Sequence, residues 1–185
     1  EWSEWGKEVC WDDISGKRLD QKLVWEARGE EIVEFRKHGV YDKAPIAQCW
    51  DRAGKAPIKI RWVDSNKGDE INPEYRSRLV AMDFNRGKKW DIFAATPPLK
   101  AKKLLFSLAV AEGIGRRGDE VLKLDFIDIK RAFFHAAARR EVYVALPAED
   151  AEEGMCGLLV KAMYGTRDAP PNWEFEYVEY MESIG

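Results

Sequence analysis

The stretch that ends at Asp128 constrains the fold most, because an apolar strand pattern there finishes on an acid and passes directly into helix-forming residues. With the two-residue period of a β-strand, Leu122, Leu124 and Phe126 share a face with Asp128. A carboxylate that extends an apolar row is costly unless it is paired, hydrogen-bonded or bound to a metal. Asp128 therefore either caps the helix predicted over 130–140 or has a catalytic or metal-binding role.

Composition indicates a globular chain of one domain's size. The 185 residues are 45% hydrophobic and 12% aromatic, which excludes a disordered chain. Cys10, Cys49 and Cys156 have no Cys-x-x-Cys spacing, so neither a zinc site nor a disulfide framework is expected, and a reducing compartment fits best. With no signal peptide and no run of about 18 apolar residues, we expect an intracellular protein that does not enter a membrane.

The net charge of -3 conceals a basic stretch. Residues 52–103 carry 13 basic and 6 acidic side chains, a net +7, while the rest of the chain carries -10. Such a stretch can guide a polyanion to one surface. The alternative is a lysine-decorated surface that faces only solvent.

The basic stretch contains two alternating segments that predict a β-hairpin. Lys59 and Arg61 alternate with apolar residues, and Arg76 and Arg78 alternate with Ser77 and Leu79. If the two segments pair, four cations crowd one face, which is unfavourable unless an anion arrives. The hairpin is therefore either a finger that grips phosphates or a sheet with a charged outer face.

Three further helices are predicted from caps and apolar stripes. The first is capped by Asp20 and stopped by Gly39, with an inward stripe of Trp25, Ile32 and Phe35. The second covers 99–112 with Leu104, Leu105, Leu108 and Ala111 inward, and the third follows Pro171 with Trp173, Tyr177, Tyr180 or Met181, and Ile184 on one face. A strand is predicted over 141–146.

Several motifs in order resemble the reverse transcriptase of copia-type LTR retrotransposons. Leu124-Asp-Phe-Ile-Asp128-Ile-Lys-Arg-Ala-Phe133 is similar to that family's Asp-Val-Lys-Thr-Ala-Phe pattern. Tyr75-Arg-Ser-Arg-Leu-Val-Ala81 is similar to Tyr-Lys-Ala-Arg-Leu-Val-Ala, and Tyr164-Gly-Thr-Arg-Asp-Ala-Pro170 to Tyr-Gly-Leu-Lys-Gln-Ala-Pro. The resemblance covers roughly 30–185. Ser77 stands where the family has alanine, a change expected to matter little, and Asp168 places an acid where it has glutamine.

The resemblance implies an α+β fold: the fingers and partial palm of a right-hand, reverse transcriptase-like polymerase. It divides the chain into an irregular segment and helix (1–39), fingers (40–95), the first part of the palm (96–147), a return to the fingers (148–170) and a palm helix (171–185). The chain stops before the family's Tyr-x-Asp-Asp hairpin, which carries the remaining catalytic acids. Its only Asp-Asp pair, Asp12 and Asp13, is expected to be a solvated turn.

The same resemblance implies an RNA-directed DNA polymerase that extends a primer by two-metal phosphoryl transfer. Asp128 would be the catalytic acid and metal ligand, with the Ile129 carbonyl beside it, for two Mg²⁺ ions, with Mn²⁺ as the alternative. The implied nucleotide contacts are Lys67, Arg78, Phe133 (under the sugar), Tyr164 and Gly165; the implied nucleic-acid contacts are Lys59, Arg61, Arg76 and Pro170.

The implied partners are a template-primer duplex of RNA or DNA and deoxynucleoside triphosphates, within a larger polyprotein located in cytoplasmic virus-like particles or the nucleus. One carboxylate cannot hold two metal ions. We therefore expect no incorporation of nucleotides by this chain alone. The alternatives are a degenerate or domesticated fragment that binds nucleic acid without catalysis, and a purely structural remnant.

Overall fold

The computed structural model describes residues 9–84, 98–111, 116–117, 120–121 and 127–184. The helices are α1 (Gln21–His38), α2 (Ile46–Ala53), α3 (Leu99–Ala111) and α4 (Ala169–Ile184). The strands are β1 (Tyr41–Pro45), β2 (Ile60–Asn66), β3 (Tyr75–Ala81), β4 (Arg116–Arg117), β5 (Glu120–Val121), β6 (Tyr143–Val144) and β7 (Met155–Leu159), with short 3₁₀ helices at Ala132–His135 and Ala148–Asp150. Mixed helix and sheet agrees with the predicted α+β class.

Helix α1 begins and ends as predicted. The Asp20 carboxylate accepts hydrogen bonds from the amides of Lys22 and Leu23 at 2.9 and 3.1 Å, and Gly39 ends the helix in the left-handed conformation with φ of 57°. The predicted stripe is correct at Ile32 and Phe35, which are buried, whereas Trp25 is only half-buried. The buried face also carries two charged residues that the stripe did not include, Arg28 and Glu31.

Two sheets surround the core. Strand β7 pairs antiparallel with β1 on one side and with β6 on the other, while β2 and β3 form the predicted hairpin. Ile58 joins the two sheets, because its amide donates to the Tyr143 carbonyl and its carbonyl accepts from the Ala145 amide, both at 2.8 Å. Helix α1 packs on β3 and contributes Ile32 and Phe35 to the central cluster. Strand β6 is shorter than the predicted 141–146 strand.

The helix predicted over 130–140 is wrong. Only Ala132–His135 is helical, as one 3₁₀ turn. Arg131, just before it, has φ of 52°, a left-handed conformation that no α-helix tolerates. Beyond the turn, Ala137 forms a β-bridge with Lys161, and the Ala138 amide donates to the Val160 carbonyl at 2.9 Å. Tertiary pairing therefore overrides the local helix propensity.

Helices α3 and α4 form as predicted, but their predicted inward faces are exposed. Leu104, Leu105 and Leu108 in α3 are 60%, 52% and 44% exposed. In α4 the buried residues are Ala169 and Asn172 of the first turn. Ala169 and Trp173 pack beside the 3₁₀ helix. The face of α4 that was predicted to carry Trp173, Tyr177, Tyr180 or Met181, and Ile184 is exposed from Tyr177 onward. Among the described residues, no helix is long and apolar enough to cross a lipid bilayer.

Candidate nucleotide and nucleic-acid site

The register of the hairpin places its arginines on one face. Arg61 lies opposite Val80, and Arg78 and Arg76 lie opposite Val63 and Ser65. Directly paired residues of antiparallel strands share a face, and so do residues two apart. The predicted face that carries Arg61, Arg76 and Arg78 is therefore confirmed, and the opposite face turns toward α1 and the core.

The four basic residues that were predicted for this face are not equivalent. Arg61 donates to Asp13 Oδ1 at 2.9 Å, so its charge is already balanced. Asp12 is buried and accepts from the amides of Ile14, Ser15 and Asn66, so the prediction of a solvated Asp-Asp turn is wrong for Asp12. The Asn66 amide bond is the main cause that holds the pKa of Asp12 below its usual range. Lys59 precedes β2 and is exposed, and its carbonyl accepts from Met82 at 2.7 Å.

Lys67 lies in the turn between β2 and β3 and is exposed. Its amide donates to the Glu74 carbonyl at 2.7 Å. Arg78 lies four ladder positions from this turn, about 13 Å along the strands at the usual rise per residue. The two predicted phosphate contacts therefore lie at different heights of the same hairpin.

The turn at Tyr164 and Gly165 is fixed to the end of β3. The Tyr164 carbonyl accepts from the Ala81 amide at 2.8 Å. Gly165 has φ of +82°, and a Cβ atom there would lie 2.0 Å from the Ala81 carbonyl oxygen and 2.5 Å from Val80 Cγ1. Only glycine fits this position, because both the backbone conformation and the space exclude a side chain.

Three predicted nucleotide-binding residues meet at this turn. The Arg78 guanidinium lies 5.9 Å from the centre of the Tyr164 ring, within the range of a cation–π interaction. Phe133 packs edge-on against the same ring at 5.2 Å. Phe133 is half-buried, whereas Phe134 is fully buried against Phe35 and Tyr164. The 3₁₀ turn thus carries two aromatic residues with different surroundings. Phe134 belongs to the core, whereas Phe133 is partly exposed beside the Tyr164 turn.

A small pocket of about 50 Å³ adjoins this cluster. The pocket lies between α1, the edge of β3 and the Tyr164 turn. The residues that line it are Ala27, Glu30, Glu31, Tyr75, Arg76, Ser77, Arg78, Arg131 and Tyr164. Burial raises the pKa of Tyr164 despite the nearby arginines. Three guanidinium groups and one buried carboxylate therefore face the same small volume.

Asp128 lies outside this pocket. Its side chain is exposed, residues 127–129 have no assigned strand or helix, and Ile129 is 38% exposed. Residues 122–126, which carry the predicted strand, lie outside the described residues. The described 3₁₀ helix has Arg131 at its N-cap position without a side-chain bond, so Asp128 does not act as the predicted helix cap. The described pocket beside Arg76 and Arg78 is lined by Arg131 and not by Asp128.

The resemblance implies divalent metal ions, which need several oxygen ligands. No group of three or more His, Cys, Asp or Glu side chains within the described ranges is arranged to hold an ion. Asp128 and the Ile129 carbonyl offer two oxygen ligands, whereas Mg²⁺ requires near-octahedral coordination. The described residues alone therefore do not form a metal site.

Pro170 lies in the first turn of α4 and is half-buried. Nearby, Asp168 accepts from Arg140 at 2.8 Å and from Asn172 at 3.3 Å. Arg140 also pairs with Asp83, which accepts from the Arg167 amide at 3.2 Å. Burial raises the pKa of Asp83, but the bonds from Arg167 and Arg140 outweigh it and hold that pKa below its usual range. The acid that replaces the family's glutamine is thus balanced by an arginine.

The sequence reasoning missed a buried network under the hairpin. Asp64 Oδ2 accepts from Arg28 Nη2 at 2.7 Å, and Asp64 Oδ1 accepts from the Ser77 hydroxyl at 2.7 Å. All three residues are 5% exposed. The expectation that serine for alanine at 77 matters little is therefore wrong. A signal was present, because Arg28 and Glu31 fall on the apolar stripe of α1 at helical spacing.

The chain belongs to the reverse transcriptase (RNA-dependent DNA polymerase) family, whose model matches residues 50–183. The copia-type resemblance is confirmed by its relatives. The chain is 27% identical over 172 residues to the Retrovirus-related Pol polyprotein from transposon TNT 1-94 of Nicotiana tabacum, an alignment with 89% of this chain and 12% of the relative. It is 28% identical over 149 residues to those from transposons RE2 and RE1 of Arabidopsis thaliana, with 74% of this chain and 10% of each relative.

The chain therefore spans about a tenth of the length of these curated relatives. No solved structure matches it. The family match begins at residue 50, after α1 and β1, so Arg28, Glu31 and the helix that carries them precede the matched segment.

Proposed function

We propose that this chain forms the fingers and first part of the palm of an RNA-directed DNA polymerase, and that the arginine face of the hairpin holds template-primer and nucleotide phosphates. One observation carries the proposal. Arg78, Phe133 and Tyr164, which are up to 86 residues apart in the chain, meet at one turn beside the pocket. Arginine supplies phosphate contacts, and aromatic rings supply surfaces for a sugar or base.

In this proposal the domain boundaries are those predicted above, with the hairpin in the fingers and residues 171–185 in the palm. Asp128 and the Ile129 carbonyl provide metal ligands once further acids complete the site, with Mg²⁺ as the proposed ion. Lys67 contacts the triphosphate at the outer end of the hairpin, and Phe133 excludes a 2′-hydroxyl by contact with the sugar. Intracellular particles or the nucleus are the proposed location.

Filter binding of an RNA–DNA duplex across a salt series tests the proposal. Phosphate contacts make affinity fall steeply with salt, and each contact removed lowers the slope of log K against log salt by about one. Arg76→Ala and Arg78→Ala should each weaken binding and lower the slope. The matched control is Arg52→Ala, because Arg52 is an exposed arginine that pairs with Glu141 elsewhere on the surface. Equal binding by all four proteins would refute the proposal.

The second candidate is a fragment that binds nucleic acid without catalysis. It is favoured by the lack of a carboxylate cluster around Asp128 within the described ranges. Template-directed incorporation with Mg²⁺ or Mn²⁺ separates the two candidates only in a longer chain whose further acids complete the site around Asp128, because both candidates predict no incorporation by this chain alone. Incorporation that disappears in Asp128→Asn would establish catalysis by this chain and contradict our expectation that it is inactive alone.

A further inference from the structure

The least expected group in the pocket is Arg131. It has φ of 52°, in the left-handed region, although it is neither glycine nor asparagine. Among the described residues it is the only non-glycine residue with positive φ. Such a conformation is unfavourable for an ordinary residue and persists only where surrounding contacts stabilise it.

Two glutamates of α1 impose this conformation. Arg131 Nε donates to Glu31 Oε2 at 3.2 Å, its Nη2 lies 3.2 Å from the same oxygen, and its Nη1 lies 3.7 Å from Glu34 Oε2. The backbone conformation therefore aims the guanidinium at α1 and into the pocket that Arg76 and Arg78 also line. Three arginines that face one volume repel one another unless an anion lies among them.

Glu31 is an anion among these arginines, but among the described residues only one of its two carboxylate oxygens has a hydrogen-bond partner. It is 4% exposed, and its Oε1 atom is buried without a hydrogen-bond partner in the described part of the chain. Burial raises the pKa of Glu31 in spite of Arg131, Arg78 and Arg76, which lower it. A buried oxygen without a donor is costly and points to a group that enters the pocket or to a proton on the carboxyl itself.

We propose that Arg131, with Arg76 and Arg78, forms a binding site for a phosphate group, and that Glu31 is an internal competitor that must release Arg131 or become protonated when the phosphate binds. This inference rests on the proposed function. The volume of about 50 Å³ accepts a few water molecules or one compact anion, but not a nucleotide. The ligand is therefore one phosphate group, either the end of a polyphosphate or a backbone phosphate of a nucleic acid.

The charged and titratable groups that face Glu31 come from each element packed against it. They are Glu30 and Glu34 of α1, Arg76 and Arg78 of β3, Arg131 before the 3₁₀ turn, and Tyr164 after β7. An ionised Glu31 repels a phosphate, whereas a neutral Glu31 donates a hydrogen bond to it. Phosphate binding should therefore strengthen as Glu31 takes up a proton.

Isothermal titration with inorganic triphosphate tests this competition, because the probe carries no base or sugar. Glu31→Gln should bind about tenfold more tightly than wild type at pH 7.5, and the ratio of the two affinities should fall between pH 7.5 and pH 5.5, because the raised pKa of Glu31 favours its protonation as pH falls. The protonation of triphosphate itself cancels in this ratio. A ratio of one at both pH values would overturn the role of Glu31.

Removal of the third guanidinium provides the complementary test. Arg131→Asn should weaken triphosphate binding about tenfold or more, and asparagine tolerates the left-handed conformation, so the turn is kept. Arg131→Lys should recover part of the affinity, and Arg52→Ala serves as the control outside the pocket. Unchanged affinity in Arg131→Asn, or no triphosphate binding by wild type, would overturn the inference.

The duplex measurement above separates the two proposals. Duplex binding that depends on Arg76 and Arg78, combined with triphosphate binding that ignores Glu31 and Arg131, would overturn only this inference. Triphosphate binding that responds to both residues without duplex binding would overturn the proposed function instead. A duplex affinity that also rises in Glu31→Gln would identify a backbone phosphate as a ligand of the pocket.

Discussion

Replacement of Ser77 by alanine tests the buried network beneath the hairpin most directly. The Ser77 hydroxyl donates to Asp64 Oδ1 at 2.7 Å. Without the Ser77 hydroxyl, the described partner that Asp64 Oδ1 keeps is Arg28 Nε at 3.4 Å, a long and weak contact. A hydrogen bond to a charged group contributes about 1.5–3 kcal/mol. Because Arg28 Nη2 still binds the other carboxylate oxygen at 2.7 Å, we expect the lower end, about 1.5 kcal/mol.

Urea denaturation followed by tryptophan fluorescence measures this loss. The midpoint should fall without a change in the m value, since the surface exposed on unfolding is unchanged. For a chain of this size the loss corresponds to about 3–6 °C in melting temperature.

Ser65→Ala is the matched control. Ser65 is also 5% exposed and lies in the same hairpin, but its hydroxyl donates to the neutral Arg76 carbonyl at 3.3 Å. We expect a loss of about 0.5–1 kcal/mol there. Equal losses in the two variants, or a more stable Ser77→Ala protein, would refute the claim that the charge of Asp64 makes Ser77 important.

Two further predictions concern the turn at the site and the acid beside it. Gly165→Ala should lower the free energy of unfolding by more than about 2 kcal/mol, because the cost of the left-handed backbone and the cost of the clash with Ala81 are added together. Gly154 has φ of +73° but open space around it, so Gly154→Ala should lose only about 1 kcal/mol in the same urea denaturation. The lowered pKa of Asp83 means that its contribution to stability is full above its unfolded pKa of about 3.9 and is lost as pH falls through the folded value. Wild type should therefore lose more stability than Asp83→Asn between pH 5 and pH 3 in urea titrations, and parallel curves would contradict this assignment.

The sequence by itself determined those helices and strands whose boundaries depend only on nearby residues. The Asp20 and Gly39 caps define α1, and two alternating basic segments define the hairpin and its arginine face, because caps and strand alternation depend only on nearby residues. Motif order likewise identified the family before any geometry was known. The roles of Asp128, Lys67 and Pro170 stay predictions that no measurement yet tests.

Tertiary structure alone decided what the charged residues do. The predicted stripe of α1 did not include Arg28 and Glu31, and only the packing of α1 on β3 shows that one binds Asp64 and the other Arg131. The pattern after Asp128 predicted a helix, yet the left-handed Arg131 and the bridge between Ala137 and Lys161 replaced it. Helix propensity is worth a few tenths of a kcal/mol per residue, about 0.7 at most for ordinary residues. Contacts between distant segments override so weak a preference, and sequence periodicity does not record them.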